Sequence, residues 1–220
     1  MRLQLRWYHL DGVRLPVAVW HPGPGYRMIS SGVAGGGIGP REWVLNAQVP
    51  ASYSRLDPAV HLAELAAGLG LAGDGVGLLT AASVPDVVQR EDDGVRVAAT
   101  VGLRVPTWAA APAGPAGREP LAAWRPGTIN IIVSVPVPLR DAAYVNAVMT
   151  ATEAKTQAVL AAGFRATGTA SDAICVAAPV AGEPADFAGP RSLWGARIAR
   201  AVHSAVHTGA LRYPRDGSPG

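Results

Sequence analysis

The sequence predicts an α/β domain that leans towards α+β, built from mixed β-sheet layers covered by helices. Three observations support this class: an alternating N-terminal segment, several short apolar runs bounded by glycine or proline, and two long alanine-rich segments in the C-terminal half. Strands outnumber helices early in the chain and alternate with them later, which favours a mixed sheet with helices packed on it. At 220 residues we expect one compact domain over 1–210, followed by a flexible tail at 211–220.

The predicted strands begin with an N-terminal β-hairpin. Polar and apolar residues alternate on both sides of Asp11-Gly12, a pair that is typical of tight turns. A glycine-rich loop is expected at 32–40, and the proline- and glycine-rich segment 107–127 predicts a lid, an insertion or a mobile loop because it is too long for a plain connection. The expected strands are 2–9, 13–20, 26–31, 75–83, 95–103, 128–137 and 172–179.

Three helices are expected, at 57–70, 141–162 and 191–208. Asp57 is placed to cap the first of them, and Pro58 suits the first helical position, where its missing N–H has no partner to lose. Gly163 follows the second helix, and a glycine at this position commonly ends a helix.

Composition argues against several classes of protein. The net charge is only +3 and the arginines are scattered, so no nucleic-acid partner is expected. No apolar run approaches the ~20 residues of a membrane span, and the alternating N-terminus does not read as a signal peptide. Cys175 is the single cysteine, which rules out an internal disulfide and favours a cytoplasmic location.

The segment 144–172 contains the strongest functional signal. Lys155 is the only lysine of the chain, and every other basic residue is arginine. An ammonium and a guanidinium are not interchangeable at a tight site. Lys155 is therefore either a functional residue that arginine cannot replace or a surface lysine that is present by chance. Glu153 and Lys155 point about 200° apart on a regular helix and must serve different partners. A buried Lys155 would need a carboxylate, for which Asp172 is the neighbour to consider.

The helix carrying these residues has small or apolar residues almost all round, which predicts that it is mostly buried. A narrow polar stripe runs along it, formed by Asn146, Thr150, Glu153 and Gln157. The stripe faces either a strip of solvent or a cavity, and the burial expected of the helix favours the cavity.

Other polar residues are candidates for substrate contact, and each of them also has an ordinary structural explanation. Asn46, Gln48, Thr80 and Asn130 lie near predicted strand or loop ends, where they either form turns and caps or read an amide-rich ligand. Thr167-Gly168-Thr169 precedes Ser171 and Asp172, and predicts a tight turn that either presents hydroxyls and a carboxylate or is only a local Ser/Thr turn.

Signals for phosphate, metal or thiol chemistry are weak. The glycine loop lacks the Lys-Ser/Thr of a P-loop. His203 and His207 are four apart on a helix, but Arg197 and Arg200 share their face and no third ligand stands near in sequence, so no metal site is expected. Cys175 lies in an apolar strand and is expected to be a core thiol. His9, His21 and His61 are isolated and show no ligand pattern.

Six blocks of sequence, in order, resemble the adenosylcobinamide amidohydrolase family of corrinoid salvage. They are specific together, although each alone would be weak. The blocks are NAQV (46–49), GLLTAAS (77–83), GTINIIV (127–133), MTATEAKTQA (149–158), TGTASDAI (167–174) and AGPRSLWGARIARAV (188–202).

The resemblance implies hydrolysis of the amide that joins the aminopropanol arm to the corrin ring of adenosylcobinamide, giving adenosylcobyric acid for coenzyme B12 synthesis. It implies a corrinoid substrate that brings its own cobalt, so no further cofactor is expected, and it leaves open whether the protein forms a homo-oligomer. A non-catalytic corrinoid carrier and an amidase for an unrelated small amide remain alternatives.

The roles of individual residues are our own hypothesis. Glu153 or Asp172 would deprotonate a water, and Lys155 or the amides of Asn46 and Asn130 would stabilise the oxyanion. A covalent route through Thr169 or Ser171 is the alternative, because a hydroxyl becomes a nucleophile only beside a base. Substrate contacts are expected from Asn46, Gln48, Thr80, Asn130, Thr167 and Ser171.

Overall fold

The computed structural model describes residues 1–112 and 127–213, and within them it has ten strands and three helices. The predicted loop 107–127 and the predicted tail 211–220 therefore lie largely outside the described residues. The elements are β1 (Gln4–Leu10), β2 (Val13–Trp20), β3 (Tyr26–Ser30), β4 (Gly37–Pro40), β5 (Trp43–Gln48), α1 (Pro58–Gly68), β6 (Gly75–Thr80), β7 (Val88–Asp92), β8 (Val95–Val101), β9 (Ile129–Ser134), α2 (Asp141–Ala161), β10 (Ala173–Pro179) and α3 (Leu193–Ala210).

The strands form two mixed sheets, which confirms the predicted class. The smaller sheet has the order β1-β2-β5-β6, antiparallel except for the parallel β5–β6 pair. The larger sheet has the order β4-β3-β10-β9-β8-β7, antiparallel except for the parallel β10–β9 pair. The predicted N-terminal hairpin is confirmed as β1 and β2, which pair from Leu10 opposite Val13 to Gln4 opposite Val19.

Three apolar clusters show four stacked layers. One cluster packs α1 on the smaller sheet, a second lies between the two sheets, and the third packs α2 and α3 on the larger sheet. Successive residues of one strand serve different clusters because side chains alternate across a strand: Leu45 faces α1, whereas Val44 faces the other sheet. The layers are therefore, in order, α1, the smaller sheet, the larger sheet, and a last layer that contains both α2 and α3.

Helix α2 is less buried than its sequence predicts. Nine of its 21 residues are buried, and they form mainly the alanine side that packs on the larger sheet and α3. Val145, Met149 and Leu160 are each about half exposed. The polar stripe does not line a cavity: Glu153 and Gln157 are exposed, and the Thr150 hydroxyl donates to the carbonyl of Ala188 at 2.8 Å. The small alanine side chains let α2 pack closely against its neighbours on the side where they lie, and the other side of the helix stays exposed.

Two local expectations are met only in part. Asp57 and Pro58 take the predicted positions at the start of α1, but the Asp57 side chain makes no capping hydrogen bond, because both of its carboxylate oxygens accept from Arg55. The glycine-rich segment is not entirely a loop, since β4 pairs with β3. Gly35, at φ +64°, is required where this segment turns, because a Cβ there would lie 1.9 Å from the carbonyl oxygen of Gly75. Gly35 therefore leaves room for the backbone of the neighbouring strand β6.

In the part of the chain that the structure describes, none of the helices combines the length and the apolar character that a membrane span requires.

Candidate active site

A cleft of about 850 Å³ opens at one end of the two sheets. Its lining comes from four places: Ser31 and Val33 after β3, the connection 49–58 between β5 and α1, the end of β6 at 78–81, and the starts of β9 and β10. The last group contributes Ala173 and four polar residues, Thr128, Asn130, Ser171 and Asp172. The sequence-predicted candidates Thr80, Asn130, Ser171 and Asp172 therefore meet in one cleft, although they are up to 92 positions apart along the chain (172 − 80).

Asp172 is the one carboxylate among the described residues that line the cleft, and it is held by four hydrogen bonds. Its Oδ2 accepts from Lys155 Nζ at 2.5 Å and from the backbone N–H of Thr169 at 3.1 Å. Its Oδ1 accepts from the Thr169 hydroxyl at 2.5 Å and from the backbone N–H of Ile129 at 2.9 Å. A carboxylate has about four lone-pair sites, so every site is occupied and its orientation is fixed.

Lys155 reaches Asp172, the residue before β10, from α2, which packs against that strand. Each of the two side chains is only 9% exposed, so the ion pair is shielded from water. This confirms the expectation that a buried Lys155 needs a carboxylate. Glu153 lies on the exposed side of the same helix and is not among the residues lining the cleft, because a two-residue step on a helix turns it away from Lys155.

Gly168 makes the close approach of this pair possible. A Cβ at this position would lie 2.1 Å from Asp172 Oδ2 and 2.5 Å from Lys155 Nζ. The neighbouring Thr167 serves the adjacent segment instead of the cleft: its hydroxyl accepts from the backbone N–H of Ala109 and donates to the carbonyl of Thr107. The turn predicted at 167–169 thus holds Asp172 on one side and the start of the proline-rich segment on the other.

The hydroxyls of Ser171 and Thr128 lie 2.7 Å apart in the cleft. Ser171 also donates weakly to the carbonyl of Gly127 at 3.3 Å. Thr169, which has a carboxylate beside its hydroxyl, is half-buried and is not among the residues that line the cleft. The hydroxyl with a base next to it and the hydroxyl inside the cleft therefore belong to different residues.

The predicted amides lie between the two sheets, and only Asn130 reaches the cleft. Asn46 Nδ2 donates to the Thr100 hydroxyl at 2.9 Å, and Asn130 Nδ2 donates both to Asn46 Oδ1 and to the carbonyl of Leu79, each at 2.8 Å. Within the part of the chain that the structure describes, Asn130 Oδ1 is buried without a partner. These bonds fix both amides as inter-sheet connections, and they use both N–H groups of Asn130.

The two remaining candidates also satisfy local backbone groups. Gln48 Oε1 accepts from the backbone N–H of Val84 at 2.9 Å, and the Thr80 hydroxyl accepts from that of Ala82 at 3.0 Å. Thr80 lines the cleft, whereas Gln48 does not. The turn and capping roles weighed for them are therefore present in the structure.

The connection 49–58 supplies cleft residues that the sequence did not single out. Tyr53 lines the cleft, and its hydroxyl lies 2.9 Å from Nδ1 of His61, whose ring stacks on it at 5.5 Å. His61 is 4% exposed, and burial lowers its pKa, while burial raises the pKa of the Tyr53 phenol. Arg55 also lines the cleft, but its guanidinium is paired with Asp57 and Glu64. The sequence did not reveal this pair, because a tyrosine in a loop and a histidine eight residues later do not form a known motif.

The weaker sequence signals show no site among the described residues. His203 and His207 stack with ring centroids 5.7 Å apart on α3, and no group of three His, Cys, Asp or Glu side chains that could hold a metal occurs in residues 1–112 and 127–213. Burial raises the pKa of the Cys175 thiol to about 12, as expected for a core thiol.

Comparison with known proteins agrees with the resemblance. The family model for adenosylcobinamide amidohydrolase matches residues 5–217. The adenosylcobinamide amidohydrolase of Methanosarcina mazei is 29% identical over 193 residues, which cover 84% of this chain and 90% of that protein. The adenosylcobinamide amidohydrolase of Halobacterium salinarum is 35% identical over 188 residues, covering 83% of this chain and 79% of that protein. The chain therefore belongs to the adenosylcobinamide amidohydrolase family.

Proposed function

We propose that this protein hydrolyses the amide between the aminopropanol arm and the corrin ring of adenosylcobinamide, releasing adenosylcobyric acid and aminopropanol for cobinamide salvage. The observation that carries the proposal is the family match over residues 5–217. The cobalt belongs to the substrate, and no resident cofactor is needed for the scheme below. The single cysteine supports a cytoplasmic setting, since a chain without an internal disulfide does not require an oxidising compartment.

The cleft suits a large, mostly neutral substrate. Its volume of about 850 Å³ lies in the upper part of the ~300–1,000 Å³ range of ligand pockets. Val33, Val49 and Leu56 give it apolar surface, and hydroxyl and amide groups are scattered among them. A corrinoid has an apolar ring with neutral amide arms, so these groups complement it. A site for a small amide alone would not need this volume.

Asp172 is the residue we assign as general base. Amide hydrolysis needs a group that takes a proton from water and a donor for the leaving amine. Three of the four donors on Asp172 are fixed, namely Lys155 and two backbone N–H groups, whereas the Thr169 hydroxyl can rotate away. A water then replaces it on Oδ1, gives its proton to the carboxylate and attacks the carbonyl carbon. The proton passes to the amine nitrogen as the C–N bond breaks.

The geometry favours this water route over a covalent one. Thr169 has Asp172 beside its hydroxyl but is not part of the cleft lining, and Ser171 lines the cleft but has only Thr128 and the Gly127 carbonyl beside its hydroxyl. Neither residue combines the base and the access that a nucleophile requires.

The test is turnover of adenosylcobinamide by the purified protein, followed by mass spectrometry of adenosylcobyric acid and aminopropanol. We expect catalytic release of both, a loss of at least about 100-fold in Asp172→Asn because an amide cannot accept the proton, and near-normal rates in Glu153→Gln. Stoichiometric binding without release would identify a carrier. Full activity of Asp172→Asn, or a corrinoyl adduct on the quenched protein, would contradict the water route.

A further inference from the structure

The cleft needs a hydrogen-bond donor for the substrate carbonyl oxygen, which becomes negatively charged as the amide is attacked. The donors suggested by the sequence are committed elsewhere. Lys155 is bonded to Asp172, Asn46 Nδ2 to Thr100, and Asn130 Nδ2 to both Asn46 and the Leu79 carbonyl. Both N–H groups of Asn130 are used in these bonds, and neither Lys155 nor Asn46 lines the cleft.

Tyr53 is the one tyrosine among the described residues that line the cleft, and His61 contacts both its hydroxyl and its ring. Its hydroxyl lies 2.9 Å from His61 Nδ1, and the two rings stack with an interplanar angle of 25°. His61 is 4% exposed and sits in the first turns of α1, so its position is fixed by the helix. The phenol is thus anchored at the rim of the site by a rigid element, and the mechanism above gives it no task.

We propose that Tyr53 is a catalytic residue that donates its hydroxyl hydrogen to the substrate carbonyl oxygen, and that His61 positions it. The inference rests on the function proposed above. In the Nδ1–H tautomer, His61 donates to the phenol oxygen, which leaves the phenol hydrogen free to point at the substrate. The interaction is a hydrogen bond throughout, and no proton leaves Tyr53.

The titration behaviour of both groups agrees with this arrangement. Burial raises the pKa of Tyr53, so the phenol keeps the hydrogen that it must donate at neutral pH. Burial lowers the pKa of His61, so the imidazole is neutral there and has a single N–H to assign. Arg55 is a poorer donor for the same task because its guanidinium bonds Asp57 twice and Glu64 once.

Tyr8 provides a matched control. It flanks the same histidine, with ring centroids 6.0 Å apart, and it is also a tyrosine with a raised pKa. Its hydroxyl donates to the Gln48 carbonyl at 2.6 Å, and Tyr8 does not line the cleft. Tyr53→Phe and Tyr8→Phe each remove one oxygen from a tyrosine beside His61, but only Tyr53 lines the cleft.

The experiment compares kcat and corrinoid binding in the wild type, Tyr53→Phe, Tyr8→Phe, His61→Asn and His61→Leu. We expect kcat to fall about 100- to 1,000-fold in Tyr53→Phe, the usual loss for one oxyanion donor, with the dissociation constant for adenosylcobinamide changed less than about threefold. Tyr8→Phe should keep kcat. His61→Leu should resemble Tyr53→Phe, and His61→Asn should recover much of the rate because its amide nitrogen occupies the position of Nδ1.

Each outcome decides the inference. If Tyr53→Phe turns over like Tyr8→Phe while the wild type is active, the proposed function stands and the role of Tyr53 is wrong. If Tyr53→Phe loses binding and kcat falls less than about threefold, Tyr53 is a binding residue only and the inference is wrong. If His61→Asn is as slow as His61→Leu although both melt like the wild type, His61 does not position the phenol. If the wild type itself releases no aminopropanol, the proposed function fails and this inference fails with it.

Discussion

Replacing Lys155 by methionine should destabilise the protein far more than an ordinary surface change. Methionine keeps an unbranched chain that is one atom shorter, and it removes the charge that faces Asp172 at 2.5 Å. Both partners are 9% exposed, so water cannot replace the lost ammonium. Removing one partner of a buried ion pair typically costs about 3–5 kcal/mol, because the other charge stays buried without compensation.

The measurement is urea and thermal unfolding of Lys155→Met beside Glu153→Gln, which changes an exposed residue two positions away on the same helix. For a chain of about 150–250 residues, 1 kcal/mol shifts Tm by roughly 2–4 °C, so the expected loss is about 6–20 °C. The double variant Lys155→Met/Asp172→Asn should regain part of the loss, since no charge is left unpaired. If Lys155→Met and Glu153→Gln unfold within about 1 kcal/mol of each other, a shielded pair is the wrong description.

Three further predictions concern single residues: a substitution at Gly168, the reactivity of the Cys175 thiol and the effect of His61 on stability at low pH. Gly168→Ala should lower both stability and activity, because its Cβ would stand 2.1 Å from Asp172 Oδ2; unfolding and turnover assays would show it, and an unchanged variant would contradict the contact. Cys175, whose pKa is raised to about 12 by burial, should resist iodoacetamide at pH 8 in the native protein and react in urea, as intact mass will report. Burial lowers the pKa of His61, so the unfolded chain protonates first as the pH falls below about 6.5. Between pH 7 and 5 the wild type should therefore lose more stability than His61→Asn, and equal losses would contradict this.

The hairpin could be predicted from sequence because its information is local. Asp11 and Gly12 both adopt positive φ, at 49° and 78°, and β1 alternates between exposed and half-buried residues, whereas β2 is buried throughout from Leu15 to Trp20. The central strand β5 was not predicted because it is buried on both faces, between α1 and the larger sheet, and so shows no alternation. The edge strand β7 was missed for the opposite reason: most of its residues are polar and exposed.

The candidate site could be predicted in part for a similar reason. Lys155 and Asp172 are charged residues in apolar surroundings, and burial of the helix face made their pairing a chemical expectation. Glu153 occurs in the same block, yet only the packing of α2 on the larger sheet decides which side of the helix is covered. Tyr53 lies in the irregular connection before α1 and His61 lies in that helix, so no periodicity relates their positions along the chain to their positions in space.

The environment of Asp172 gives a physical reason for a lysine at position 155 in a chain that otherwise uses arginine. A guanidinium bonds a carboxylate best through two parallel hydrogen bonds, which need both oxygens. Oδ1 of Asp172 is already occupied by the Thr169 hydroxyl and the Ile129 N–H, so only Oδ2 faces α2. Gly168 packs so tightly there that even a single added carbon would come within 2.5 Å of the Lys155 nitrogen. A compact ammonium fills this space, whereas a planar fork would displace either the turn at Gly168 or the carboxylate that the proposed reaction depends on.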